Sequence, residues 1–200
     1  MGMARRNLRV FSTLTVVVLV ADQLAKLLAV YCLTFQGGGA FLAFTASYYS
    51  HFWNFPYTRG SSVAVWEPWV KLSFTTNTGM AWGMLHGYPL LLSFVSLVLS
   101  IAIWMIWRRY GTRSLYLTIA LGLVLGGAIG NMIDRFRLQV VVDFIDVLIP
   151  VVNYDFPVFN IADSCASVGT VMIAAYLLAR DLRLIRRQSA TRYDLTNYYL

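Results

Sequence analysis

At 200 residues the chain has room for one domain, 1–200, and no Pro/Gly/Ser-rich linker divides it. With 58% hydrophobic and only 12% charged residues, about half the usual charged share, it cannot build a water-facing surface, so lipid has to be part of its solvent. The net charge of +7 is no sign of nucleic acid, because no basic patch with interleaved stacking aromatics lies on a soluble stretch.

Arg5, Arg6 and Arg9 precede the first apolar run, Val10 to Leu33, which is long enough to cross the bilayer as a helix. Basic residues before an apolar run also open signal peptides. This run, however, is long, contains Asp22 and Lys26 and lacks a small-x-small cleavage site, so a retained anchor is expected. Asp22 and Lys26 are four apart and can pair, either as a purely structural ion pair or as support for a polar site. The connection 34–87 is rich in Tyr, Phe, Trp and Gly, and Trp53, Trp66, Trp69 and Trp82 suit the water–lipid interface. Within it Val70 to Thr75 alternates and is β-prone, which predicts a strand in a small sheet lying on the membrane. Asn77-Thr78-Gly79 reads as a turn.

A second span is predicted over 88–107 and a third over 115–133, with Arg108, Arg109 and Arg113 between them. Gly122, Gly126 and Gly130 share one face of the third. Together with Ala162, Ala166 and Gly169 of the fourth span, 161–179, they predict tight packing where those two helices meet at their outer ends. Between them the connection 134–160 holds an apolar stretch, Val140 to Val152, too short to span and carrying Asp143 and Asp146; a re-entrant or interfacial segment is expected there. Arg180, Arg183, Arg186, Arg187 and Arg192 follow the last span. Basic residues thus gather in alternate connections, which predicts four transmembrane helices with both termini cytoplasmic.

Four acids are awkward for a lipid protein: Asp22, Asp134, Asp143 and Asp163. Asn131 to Asp134 closes the third span and Asn160 to Asp163 opens the fourth, each placing amide and acid three apart on one helix face. Asn160 is also a good N-cap with Asp163 at the third helical position, and Asp134 beside Arg135 could simply mark the water boundary. Asp143 tips the balance, since every neighbour is apolar and no capping role is evident. Burial and a second carboxylate nearby should raise its pKa, and two acids sharing a proton are the equipment of aspartic proteases, the standard example of such a pair. His51 and His86 are isolated, no zinc motif is present, and Lys71 near Ser73 is weak evidence for a Ser/Lys nucleophile. A transporter would fit acids on several helices equally well, but its site usually sits at the midplane with internal repeats.

Five blocks in order resemble the bacterial lipoprotein signal peptidases, also called signal peptidase II. They are Asp22 to Lys26, Asn77 to Gly83, Gly126 to Arg135, Val141 to Phe144 and Phe159 to Ser164. The resemblance implies an all-α polytopic fold with a small extracytoplasmic β element, and Asp143 and Asp163 as the catalytic aspartates. Asn131, Asp134, Arg135 and Asn160 would frame them, with Asp22, Lys26, Asn77 and Gly83 at further motif positions. The implied reaction is removal of the signal peptide from a diacylglyceryl-modified prolipoprotein, just before the lipidated cysteine, at the outer face of the bacterial inner membrane. It implies no metal and no cofactor; prolipoproteins and membrane lipids are the partners, and no obligate protein partner is inferred. Gln139 departs from the family's usual glycine, Trp82 replaces a phenylalanine, and the first outward connection is longer than is typical.

Overall fold

The structure is a computed structural model that describes residues 2–34, 60–79, 85 and 87–198, with side chains described to residue 183. Four helices carry the chain: α1 (Gly2–Thr34), α2 (Pro89–Tyr110), α3 (Leu115–Leu138) and α4 (Ile161–Tyr198). Each is long and apolar enough to cross a membrane. A short 3-10 turn, Gly111–Arg113, joins α2 to α3, and Ser114 caps α3 by accepting a hydrogen bond from the Leu117 amide (3.2 Å). The helices outrun the predicted spans. α3 continues five residues beyond residue 133 to Leu138, and α4 runs from Ile161 to Tyr198, because helical hydrogen bonding does not stop where the apolar composition does.

The second departure is larger. The stretch expected to be re-entrant or interfacial is strand β3 (Val141–Ile149), paired with β4 (Tyr154–Phe159). With β1 (Ser62–Trp66) and β2 (Val70–Asn77), which contains the predicted strand, they form one antiparallel sheet in the order β1-β2-β3-β4. β-Branched Val140 to Val142 favour extended backbone, and the ladders to β2 and β4 satisfy the polar groups that a re-entrant segment would have left exposed. A bulge in the β2–β3 ladder precedes the pair Thr75 and Asp143. The connection 134–160 is therefore helix end and hairpin, with little loop.

The sheet rests on the C-terminal end of α1, where Leu27, Val30 and Leu33 pack with Phe74, Leu138, Val142 and Phe144. At the other end of the bundle Phe11, Trp107, Leu117, Leu121 and Leu125 form a second cluster. The glycine stripe of α3 serves a different neighbour from the one expected. Gly122 and Gly126 face α1 at Phe11, Thr15 and Val18. The approach of α4 is made at Gly127, outside the stripe, where any Cβ would overlap the Ala162 carbonyl. Gly130 meets both helices, and a Cβ there would lie 2.6 Å from an Asp22 carboxylate oxygen. Only hydrogen at that position leaves room for a buried charge.

Candidate active site

The site grows from a buried lysine. Lys26 has no exposed side-chain surface, and its ammonium has three protons to place. It gives them to Asp22 Oδ2 (2.8 Å), Asp134 Oδ2 (2.8 Å) and Asn131 Oδ1 (2.9 Å). The predicted α1 pair is thus half of a larger network that also holds α3. Gln23 completes it, its amide reaching Asp134 Oδ1 at 2.9 Å and the Gly130 carbonyl at 3.3 Å. Gln23 was missed by sequence reasoning. A glutamine beside an acid carries no signal until folding brings Asp134 to it.

An ammonium can only donate, so Asn131 must present its oxygen to Lys26 and its NH2 to the other side. There it donates to Asp163 Oδ1 at 2.7 Å. Asn160 is oriented by the same logic. The Asp163 amide is an obligate donor and bonds Asn160 Oδ1 (2.9 Å), which turns the Asn160 NH2 toward Asp143 Oδ1 (2.6 Å) and Asn131 Oδ1 (3.1 Å). Asp163 Oδ2 in turn accepts from the Asn160 amide (3.3 Å). This reciprocal pair is a capping arrangement, so the cap reading of the Asn160 to Asp163 block holds, and the same two side chains also face Asp143. Asp22 Oδ1 accepts from the Ala162 amide (2.9 Å), so α1 satisfies a free N–H in the first turn of α4.

Asp143 and Asp163 open on one cavity of about 830 Å³, shared with Thr75, Asn77, Arg135, Phe156 and Ser167. Burial raises the Asp143 carboxyl most, and the charge of Asp163 adds to it; Lys26, Asn160 and Asn77 pull the other way, leaving the pKa at about 7. Asn77 makes the predicted turn, its Oδ1 accepting from the Gly79 amide (2.9 Å). Arg135 donates through Nη2 to the Gly79 carbonyl (2.7 Å), which ties the β2 end to α3, while its buried Nε has no hydrogen-bond partner among the described residues. Gln139 stands at the C-cap of α3 with φ 64°, the left-handed conformation that glycine adopts freely, so the turn before Asp143 is made despite the substitution. Gly83, with Trp53 and Trp82, lies outside the described residues. The remaining predicted site residues, Asp22, Lys26, Asn77, Asn131, Asp134, Arg135, Asp143, Asp163 and Asn160, are brought together here.

Known proteins resemble this chain. The lipoprotein signal peptidase of Bacillus velezensis is 41% identical over 119 residues, 60% of this chain and 76% of its own. That of Bacillus subtilis is 42% identical over 119 residues, with the same coverage. Two solved bacterial membrane enzymes, determined by the in meso method at 2.3 and 1.9 Å, align with TM-scores of 0.66 and 0.63 at 29% identity. They cover 84% of this chain, and 87% and 92% of theirs. Residues 14–179 match the family described as signal peptidase (SPase) II. That match runs from α1 through the first half of α4 and takes in every described residue around the cavity, so the chain belongs to the signal peptidase II family.

Proposed function

We propose that Asp143 and Asp163 are the catalytic pair of an aspartic endopeptidase that removes signal peptides from diacylglyceryl-modified prolipoproteins. The observation that carries this reading is the joint opening of both carboxylates on one cavity, with Asp143 raised to a pKa of about 7. A carboxyl that keeps its proton near neutrality can donate a hydrogen bond to the scissile carbonyl oxygen. The Asp163 carboxylate then takes a proton from the water as its oxygen attacks the carbonyl carbon. When the tetrahedral intermediate collapses, the C–N bond breaks and a proton passes to the departing nitrogen of the lipidated cysteine. The step calls for neither metal nor cofactor. Asn131 and Asn160 act as positioning residues, each fixed by a donor that cannot reverse.

We place the site at the extracytoplasmic face of the inner membrane with both termini cytoplasmic. The arginines at the end of the bundle opposite the cavity support that orientation. Asp143→Ala and Asp163→Ala should each lower precursor cleavage in reconstituted membranes by about a thousandfold or more. Asp146→Ala should keep most activity, because Asp146 accepts from Ser73 (2.7 Å) and lines a separate cleft with Lys71 and Asp155. Full cleavage by either of the first two variants would refute the pair.

A further inference from the structure

The two ends of the bundle treat their cations differently. At the cavity end Lys26 is wholly buried among acids and Arg135 is held against Gly79. At the opposite end Arg5, Arg6 and Arg9 of α1 are exposed, as are Arg108, Arg109 and Arg113 around the α2–α3 turn and Arg180 and Arg183 of α4. None of these eight makes an ion pair among the described residues, and Asp181 is the one described acid within those segments.

Two fastenings between elements, and one ring contact within α2, hold them in one collar. Asn7 Nδ2 donates to the Gly111 and Thr112 carbonyls, both at 3.2 Å, which fixes the start of α1 against the turn. Tyr116 stacks on Tyr176 with ring centroids 6.3 Å apart, and Arg180 follows one helical turn later. The Arg108 guanidinium lies 5.9 Å from the Trp104 ring centroid. Like charges held together on fixed backbone repel one another and need counter-charge from outside the chain. A bilayer offers phosphate at this depth, and the guanidinium fork matches phosphate oxygens.

We propose that this collar binds the headgroups of anionic phospholipids and selects them from the surrounding bilayer. Part of it is outside the family match, which ends at residue 179, before Arg180 and Arg183. A purely topological role for these arginines acts during insertion and requires no lipid preference in the finished protein, whereas bound headgroups do.

The test uses the full chain reconstituted in phosphatidylcholine vesicles, with spin-labelled phosphatidylglycerol or phosphatidylcholine as the probe. The motionally restricted lipid at the protein surface should favour phosphatidylglycerol about fivefold, less than the attraction expected of a single fully engaged arginine. That preference should fall toward parity as salt rises from about 0.05 to 0.5 M. The variant Arg108→Gln/Arg109→Gln/Arg113→Gln, which leaves the other two clusters to set topology, should lose at least half of it. Equal association of the two lipids with the unmodified protein overturns the proposal, whatever the variant does. So does a preference that survives in the triple variant and vanishes in Arg137→Gln, since the anionic lipid then sits at the cavity end.

Discussion

α1 lies against α3 at both its ends, and the two ends are built from opposite materials. At the N-terminal end of α1 Phe11 stacks on Trp107 with centroids 4.4 Å apart, and Leu117, Leu121 and Leu125 fill in around them. The polar atoms there serve to satisfy buried backbone and one indole: Thr118 Oγ1 donates to the Gly111 carbonyl (2.7 Å) and accepts from Trp107 Nε1 (3.3 Å). At the cavity end Asp22, Lys26 and Asp134 are as deeply buried as those aromatics, but they carry charge. Apolar packing stabilises without strict direction, whereas a buried ion network contributes little net stability and fixes direction. The aromatic end holds the helices together. The cavity end aims two asparagines.

The largest effect that should separate the two ends is with pH. Asp143 is raised, so it keeps its proton below pH 7 and loses it as pH climbs through about 7. In the proposed mechanism the acting form is the protonated one, so cleavage in reconstituted membranes should fall by about tenfold per pH unit on the alkaline side. A profile flat across that range would break the assignment of the proton donor. Next in size is Lys26→Met, which leaves Asp22 and Asp134 buried without a counter-charge. It should lower stability by about 3–5 kcal/mol in thermal denaturation and also lower turnover per folded molecule, because Asn131 loses the donor that turns its NH2 toward Asp163. Trp107→Ala should cost about 3–4 kcal/mol from the cavity it leaves, with turnover per folded molecule unchanged. Equal turnover losses in the two variants would erase the distinction between the ends. Smallest is Gln139→Gly. Relief of a left-handed residue should raise stability by up to about 1 kcal/mol, since the bond from Gln139 Nε2 to the Arg135 carbonyl, at 3.4 Å, is weak.

The same contrast explains what could be read from the sequence. The four helices were legible because a bilayer demands long apolar runs, and Asp143 stood out because apolar neighbours make an acid conspicuous. β3 was not recognised as a strand because a short apolar run containing acids has no period that separates a strand from other short segments, and its partner β2 is more than sixty residues earlier in the chain. The glycine stripe was correctly read as a packing face, but sequence cannot say which helix packs there: it is α1 at Gly122 and Gly126, and both α1 and α4 at Gly130. Gln23 and the Ala162 amide were invisible for a deeper reason. One is an ordinary polar side chain and the other a backbone atom, and each acquires a role only from what folding sets beside it.

The hydrogen bond from the Ala162 amide to Asp22 spans 140 positions and joins the earliest helix to the latest. During synthesis Asp22 enters the bilayer long before its partner exists, and the carboxyl of Asp163 arrives with that same last segment. On the proposed assignment the catalytic pair therefore has no nascent form, and a chain stalled ahead of α4 is expected to lack peptidase activity.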